Sequence, residues 1–275
     1  MTKLVILFTC FNRVETTQSF VENLIQLQNK QHNIDILVVD GGSSDGTIEM
    51  LSSFENVNFQ LLQTPSNFYW SESMKLGFRV LEQLEDWTGI ICCNDDADLD
   101  LSIVNEFLES AYQEDVLIGK FCEPGTSKKS YGGLKKKKFF PYSFETGDSA
   151  EYDSFNTNFV YFKRSVIEQC GWFNDGFRHG KSDIFIGARL KQMGYSLKEF
   201  PYFVGECTRG GDRFLQSFNK TRNVVDFLSL FLSPKWHPFN ERCEFCAFFV
   251  RLRFLECVLA PYLLGILKWC KIKLR

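Results

Sequence analysis

No stretch of this 275-residue chain runs to about 18 uninterrupted apolar residues; in the best window, near the C-terminus, Glu256 and Pro261 break the run. A helix that crosses a bilayer is therefore not expected. Nor is there a surplus of basic charge: 31 Lys and Arg against 34 Asp and Glu leave a formal net charge of −3. A general nucleic-acid binder needs a broad basic face to neutralise phosphates, so nucleic acid is not an expected partner. No secretory leader precedes the first apolar run, since Met1-Thr2-Lys3 leads straight into a strand-like segment. The ten Cys, several of them inside apolar runs, are accordingly expected as reduced, buried thiols of a cytosolic protein. Cys243 and Cys246 form a lone CxxC without the two further ligands that zinc requires. Also missing are an internal repeat and any Pro-, Gly- or Ser-rich linker able to divide the chain into independent units.

What is present is alternation. Short apolar runs at residues 4–9, 34–39, 57–62 and 89–93 read as buried strands, and helical spacing over 14–28 and 71–84 separates them. A short helix through Met50 and Leu51 follows a cap at Ser44 or Asp45. A helix near 102–112, a strand at 116–121, a loop or hairpin around Gly132 and Gly133, an apolar run at 155–162, and helices from Ser165 and over 183–193 complete the pattern. The expected fold is α/β, a mostly parallel, doubly wound sheet with helices on both faces, whose ligands gather beyond the carboxyl ends of the strands. The polar clusters that follow the first, second and fourth strands all fall at those ends.

Two clusters carry chemistry. Asp40 closes the second strand and is followed by glycines; a carboxylate there can accept a hydrogen bond from the imide N–H of uracil or thymine, with a turn or helix-capping Asp as the competing reading. The run Gly41-Gly42-Ser43-Ser44-Asp45-Gly46 lacks the G-x-G-x-x-G order, which disfavours a dinucleotide-binding oxidoreductase. Asp95-Asp96-Ala97-Asp98 places several carboxylates at the end of a buried strand, where they repel unless a cation sits among them. Mg2+ or Mn2+ suits such a site, taking one or two protein carboxylates and completing its shell with phosphate oxygens and water. A solvated acidic turn ahead of a helix is the alternative.

The set Thr9-Cys10-Phe11-Asn12-Arg13, Val38-Val39-Asp40-Gly41-Gly42-Ser43-Ser44-Asp45-Gly46-Thr47 and Asn94-Asp95-Asp96, in that order, resembles the nucleotide-binding half of family 2 glycosyltransferases, whose fold is termed GT-A. The resemblance implies Thr9, Asn12, Arg13, Asp40 and Gly42 around a sugar nucleotide, with Asp40 on the base. It further implies Asn94 or Asp95 near the ribose or diphosphate, and Asp96 as metal ligand with Asp98 competing. The segment from Asn67 to Gly77 is similar to one that opens a helix beside the donor, so Asn67 and Trp70 would line the pocket; its aromatics read equally as core residues. His179-Gly180-Lys181-Ser182-Asp183 resembles the family's acidic motif at the head of a helix ending in Gly194-Tyr195, which puts Asp183 at the general-base position of an inverting transfer; a plain N-cap is the alternative. Many relatives have Glu-Asp where this chain has Ser182-Asp183. His179 is a candidate for the acceptor or phosphate side, and Arg209 and Arg213 for the diphosphate, unless they belong to a mobile surface loop.

The implied organisation is a transferase domain over residues 1–215, with a nucleotide-binding half (1–100) and an acceptor half (101–215), and a helical region over 216–275. Aromatic residues make up 16% of the chain, 29 of them Phe, so either the core is Phe-rich or some surface meets lipid. From Arg242 on, bulky apolar residues alternate with Arg251, Arg253, Lys268, Lys271, Lys273 and Arg275, which reads as an interfacial helix pair on an anionic leaflet, with Phe245, Phe248, Phe249, Phe254, Leu263, Leu264 and Trp269 toward lipid, or as a helical cap on the domain. The expected activity is transfer of a sugar from a UDP- or dTDP-sugar to a hydroxyl of a lipid-linked glycan, on the inner face of the cell membrane. Resemblance to rhamnosyltransferase-like members suggests bacterial surface-polysaccharide synthesis. A nucleotidyltransferase is a rival, though Asn12-Arg13 is no Gly-rich phosphate loop. A non-catalytic membrane-associated scaffold that binds nucleotide sugars is another.

Overall fold

The structure is a computed structural model that describes residues 3–29, 33–54, 58–65, 68–138, 143–171, 176–209, 220, 221, 223–234, 236, 238–249 and 254–273. Its first half repeats strand and helix as the apolar periodicity dictates: β1 (Leu4–Cys10), α1 (Val14–Asn29), β2 (Ile34–Asp40), α2 (Thr47–Ser52), β3 (Phe59–Gln63), α3 (Trp70–Leu81) and β4 (Gly89–Asn94). There follow β5 (Asp98–Leu99), α4 (Leu101–Ala111), β6 (Val116–Cys122), β7 (Lys129–Tyr131), β8 (Gly133–Lys136), β9 (Phe144–Thr146), β10 (Ser154–Phe155), β11 (Phe159–Lys163), α5 (Arg164–Cys170), α6 (Ser182–Gln192) and β12 (Lys198–Glu206). The helices α7 (Val224–Phe231), α8 (Phe239–Phe249) and α9 (Phe254–Lys273) end the chain.

The main sheet runs β3-β2-β1-β4-β11-β6-β12-β5, with β7 on β6, and a second sheet runs β10-β8-β9. β3, β2, β1 and β4 are mutually parallel, as are β6 and β12, while β11 is antiparallel to both of its neighbours. β1 shows how the sheet is buried on two sides. Its residues alternate between two cores, with Leu4, Ile6 and Phe8 packing with Phe20 and Leu24 of α1 and Phe107 of α4, and Val5 and Leu7 packing with Met74 and Phe78 of α3 and Leu190 of α6. Strand order reverses about β1, since β2 and β3 lie on one side and β4 on the other. That crevice, at the carboxyl ends, is where a wound sheet receives ligands.

The apolar stretch expected at 155–162 is two strands, not one, because Asn156-Thr157-Asn158 interrupts it before β11 reverses direction. Gly132 links two antiparallel pairings in different sheets, β7 on β6 and β8 on β9. One expectation about cysteine is corrected: Cys246 and Cys257 form a disulfide, while the other eight are free. Sequence spacing drew attention to Cys243 and Cys246 within one helix, whereas Cys257 of α9 lies at a Cα–Cα distance of 5.9 Å from Cys246 of α8.

The tail also departs from expectation. Phe245 is buried, and Phe248, Phe249 and Phe254 pack with it against Phe177, Phe185 and Phe144; Trp269 lies against Phe227 and donates Nε1–H to Thr221 Oγ1. Of the residues expected to face outward, only Leu263 and Leu264 are exposed, and Leu255, Leu259, Ile266 and Leu267 join them. Rings that stack on one another satisfy a core better than a surface, so the Phe-rich positions turned inward and the aliphatic ones outward. Among the described residues, no helix is long and apolar enough to cross a membrane.

Candidate active site

The ends of β1 and β2 are stapled together. Asn12 sits in the left-handed region (φ 49°), which an Asn tolerates, and its Oδ1 accepts from Ser44 N at 2.8 Å while its own N–H donates to Ser43 Oγ at 2.8 Å. Asp40 is fully buried, and its Oδ1 accepts from the backbone N–H groups of Gly42 and Ser43, both at 2.8 Å, and its Oδ2 from Ser43 Oγ at 2.6 Å. Gly42 turns with φ 84°, which lets the backbone fold back over that carboxylate. Asp40 thus shapes the turn from within. Asp45 does similar work, accepting from Thr47 at the start of α2 and from Val14 N at the start of α1.

The acidic cluster at the end of β4 divides by burial. Asp95 is 1% exposed and both its oxygens are engaged, Oδ1 by Arg13 Nη1 at 2.9 Å and Oδ2 by Thr17 Oγ1 at 2.6 Å. Burial raises its pKa, and Arg13 opposes that rise. Asp96 is exposed, 3.3 Å from Arg13 Nη1, and Asp98 is exposed across the buried Ala97. Asp96 and Asp98 are thus the two solvent-facing carboxylates of the 95–98 cluster, hard-oxygen groups of the kind Mg2+ or Mn2+ accepts. Among the described residues no three His, Cys, Asp or Glu side chains converge as an all-protein metal cage. β5 reaches this position because Gly205 of β12 has no Cβ, which would strike the Asp98 carbonyl.

Opposite these strand ends stands the head of α3. Trp70 donates Nε1–H to Asn94 Oδ1 at 3.0 Å, tying α3 to β4. Ser71 N donates to Arg178 O, Ser71 Oγ donates to His179 O, and Ser71 Oγ lies 2.6 Å from Ser182 Oγ. Arg178 Nε reaches Glu72 Oε1 at 2.8 Å, with its guanidinium over the Tyr69 ring. Between β1 and α3 lies a cleft of about 260 Å³ lined by Thr9, Phe11, Arg13, Gly41, Tyr69, Trp70 and His179 among others. Phe11 and Phe68 leave exposed aromatic faces there. A larger concavity, about 450 Å³, lies by Glu106, Glu114 and Tyr202 at the amino end of β12, away from the strand-end carboxylates.

Asp183 stands in the first turn of α6, half-buried, with Oδ1 accepting from Ile184 N at 2.7 Å. Burial raises its pKa, against hydrogen bonds from the backbone of Ile184 and Thr157 and the side chain of Asn156. The same triplet meets the backbone at the end of β4: Asn158 O accepts from Asn94 N at 3.2 Å, Asn158 Nδ2 contacts Cys207 Sγ, and that thiol donates to the Asp96 backbone carbonyl. Residues 156–158 therefore bridge Asp183 to the end of β4. Sequence reasoning missed them, along with Tyr69 and Arg178; the polar triplet inside an apolar run was the available signal. Ser182 is fully buried against Ser71, a place without room for a Glu carboxylate. Asn67 and Arg213 lie outside the described residues, and Arg209 Nη1 donates to Thr146 Oγ1.

The sequence profile described as Glycosyl transferase family 2 matches residues 5–168. Among solved structures, the chain is similar to a mannosyltransferase from Pyrobaculum calidifontis in complex with GDP-Man and Mn2+, with TM-score 0.56 and 15% identity over 94% of this chain and 73% of that one. No curated protein matches significantly.

Proposed function

The chain belongs to glycosyl transferase family 2 and has a GT-A fold, and on that premise we propose that it moves a sugar, with inversion, from a UDP- or dTDP-sugar to a hydroxyl of a lipid-linked glycan. The observation that carries this reading is that the β1–α3 cleft, the exposed Asp96 and Asp98, and Asp183 lie at one end of the sheet, with Asn156 and Thr157 bonded to Asp183 and Asn158 bonded to the backbone of Asn94 at the end of β4. The nucleotide occupies the cleft, its base against Phe11 and the turn that Asp40 and Gly42 shape. Thr9, Arg13 and Trp70 line the cleft around it, the family resemblance adds Asn12, Asn67 and Asn94, and Asp95 holds Arg13 in place.

Asp96 and Asp98 would hold Mn2+ or Mg2+, which supplies charge neutralisation for the departing diphosphate. The mannosyltransferase with Mn2+ supports that assignment. Asp183 accepts the proton of the acceptor hydroxyl as it attacks the anomeric carbon. A carboxylate raised by burial is a stronger base than one in water, and the Ile184, Thr157 and Asn156 donors fix its aim. Residues 1–215 form the transferase domain, with the donor handled by 1–100 and the acceptor by 101–215. Residues 216–275 form a helical region resting on the inner face of the cell membrane, and the pathway is bacterial surface-polysaccharide synthesis.

Nucleoside diphosphate release by the purified chain, with Mn2+ and a panel of sugar nucleotides and acceptors, tests the reading. Asp183→Asn should lose about 10²- to 10⁴-fold in kcat while still binding donor. Asp96→Asn should lose both turnover and the metal-dependent part of donor affinity. Because Asp183 acts deprotonated and its pKa is raised, the wild-type rate should fall as pH drops, on a limb above the ordinary carboxylate range. Full activity in either variant removes that residue from the mechanism.

A further inference from the structure

Beside Asp183 lies a second cavity, of about 220 Å³, which the reaction described above does not use. Lys181, Arg209 and Arg242 line it, with Asn156, Ile184 and Phe245, and no carboxylate is among its described lining residues. Lys181 precedes α6 in the left-handed region at φ 67°, a conformation uncommon outside glycine that is held here by the surrounding packing. Among the described residues, its ammonium has no hydrogen bond or ion pair, and its contact is the Phe245 ring at 5.8 Å. Of the other two cations, Arg242 Nε donates to Cys257 O at 2.9 Å and Arg209 Nη1 to Thr146 Oγ1 at 3.2 Å. A half-buried ammonium with no direct ion pair is stabilised when something anionic visits it.

We propose that this cavity is a subsite for a phosphate group carried by the acceptor. The assignment to the acceptor rests on the transferase reading, because Asn156 lines the cavity and hydrogen-bonds Asp183, so a group seated there lies next to the base. Three cations suit a phosphate dianion better than a single carboxylate, and a guanidinium fork with an ammonium supplies donors to several oxygens at once. The donor's diphosphate has its own place at Arg13 and the strand-end carboxylates. Burial, with Arg242 nearby and Glu241 partly opposing, brings the Lys181 ammonium down to about 7; a bound anion would draw a proton onto it.

Calorimetric titration of inorganic phosphate into the full chain at neutral pH tests the site. Lys181→Gln should weaken binding about tenfold or more, as expected for one charge-assisted hydrogen bond. Arg209→Gln, at an exposed position that cannot threaten the fold, should weaken it several-fold. The proposal is overturned if the wild type binds no phosphate, or if Arg13→Gln abolishes binding while Lys181→Gln and Arg209→Gln do not. Lys181-dependent binding of a soluble sugar phosphate would assign the phosphate to the glycan. The same dependence confined to phosphatidylglycerol–phosphatidylcholine vesicles would assign it to the lipid. Sugar transfer is read separately: phosphate binding that depends on Lys181 in a chain that transfers nothing sinks the transferase reading and leaves the anion site standing.

Discussion

At the scale of single residues, identical side chains a position apart have opposite environments. Asp95 is a buried tie between β4 and α1, whereas Asp96 faces solvent. Removing one partner of a buried, doubly hydrogen-bonded carboxylate strands the other, so Asp95→Ala should cost about 1–3 kcal/mol, moderated because Arg13 is partly exposed. Asp96→Ala should stay within about 0.5 kcal/mol of wild type by urea denaturation while losing its metal response. Equal stability losses at both positions would contradict the division. The sequence located all these carboxylates at a strand end but could not rank them, because the decision rests on Arg13 and Thr17, about eighty residues away in the chain. Asp40 is the converse case. Its partners Gly42 and Ser43 are adjacent in sequence, and the turn-forming alternative that a strand-end Asp always offers is the arrangement observed.

At the scale of elements, the C-terminal helices depend on one another through a missing hydrogen-bond donor. Pro261 lies inside α9 and has no N–H, so the carbonyl four residues earlier, that of Cys257, loses its helical partner. Arg242 of α8 takes that place with Nε and Nη2, both donating to Cys257 O. Arg242→Met should therefore destabilise by about 1–3 kcal/mol, and much less in a Pro261→Ala background where the backbone supplies its own donor. A double-mutant cycle by chemical denaturation should show coupling of about 1 kcal/mol; simple additivity would mean that Arg242 acts elsewhere. The sequence showed Pro261 as an interruption of an apolar window, which it is, but the helix runs on because a residue from another element repairs the ladder. Local spacing placed β1 through β4 and their helices because each is set by its own periodicity. The reversal of β11 and the two-residue β5 are set by pairing with distant strands, and no periodicity announces them.

For the molecule as a whole, the tail presents two surfaces of different kind, one packed on the domain and one exposed. α8 faces the transferase half: Glu241 Oε1 accepts from Arg178 N, and Phe245 and Phe248 pack on the wall that carries Lys181 and Phe185. α8 thus buttresses the segment between the cleft and Asp183, in keeping with the helical-cap reading of the tail. α7 and α9 turn the other way and leave Val225, Leu228, Leu255, Leu259, Leu263 and Leu267 exposed, with Leu255 at 70% and Leu267 at 65%. The leucines at 255, 259, 263 and 267 are spaced by four, so they form one stripe along a helix of 20 residues, and exposed Lys268 and Lys271 follow at its carboxyl end. An apolar stripe beside exposed ammonium groups matches the acyl–headgroup boundary of an anionic leaflet, where leucines enter and lysines remain at the phosphates. Each Leu so buried contributes about 1.5–3 kcal/mol. Replacing Leu263 and Leu267 together by Glu should therefore lower sedimentation with phosphatidylglycerol vesicles at least about tenfold without loss of melting temperature, since neither side chain touches a core. Binding by the wild type should weaken with added salt as the lysines are screened. If the variant sediments like the wild type, the stripe is not what meets lipid, and the tail serves the fold alone.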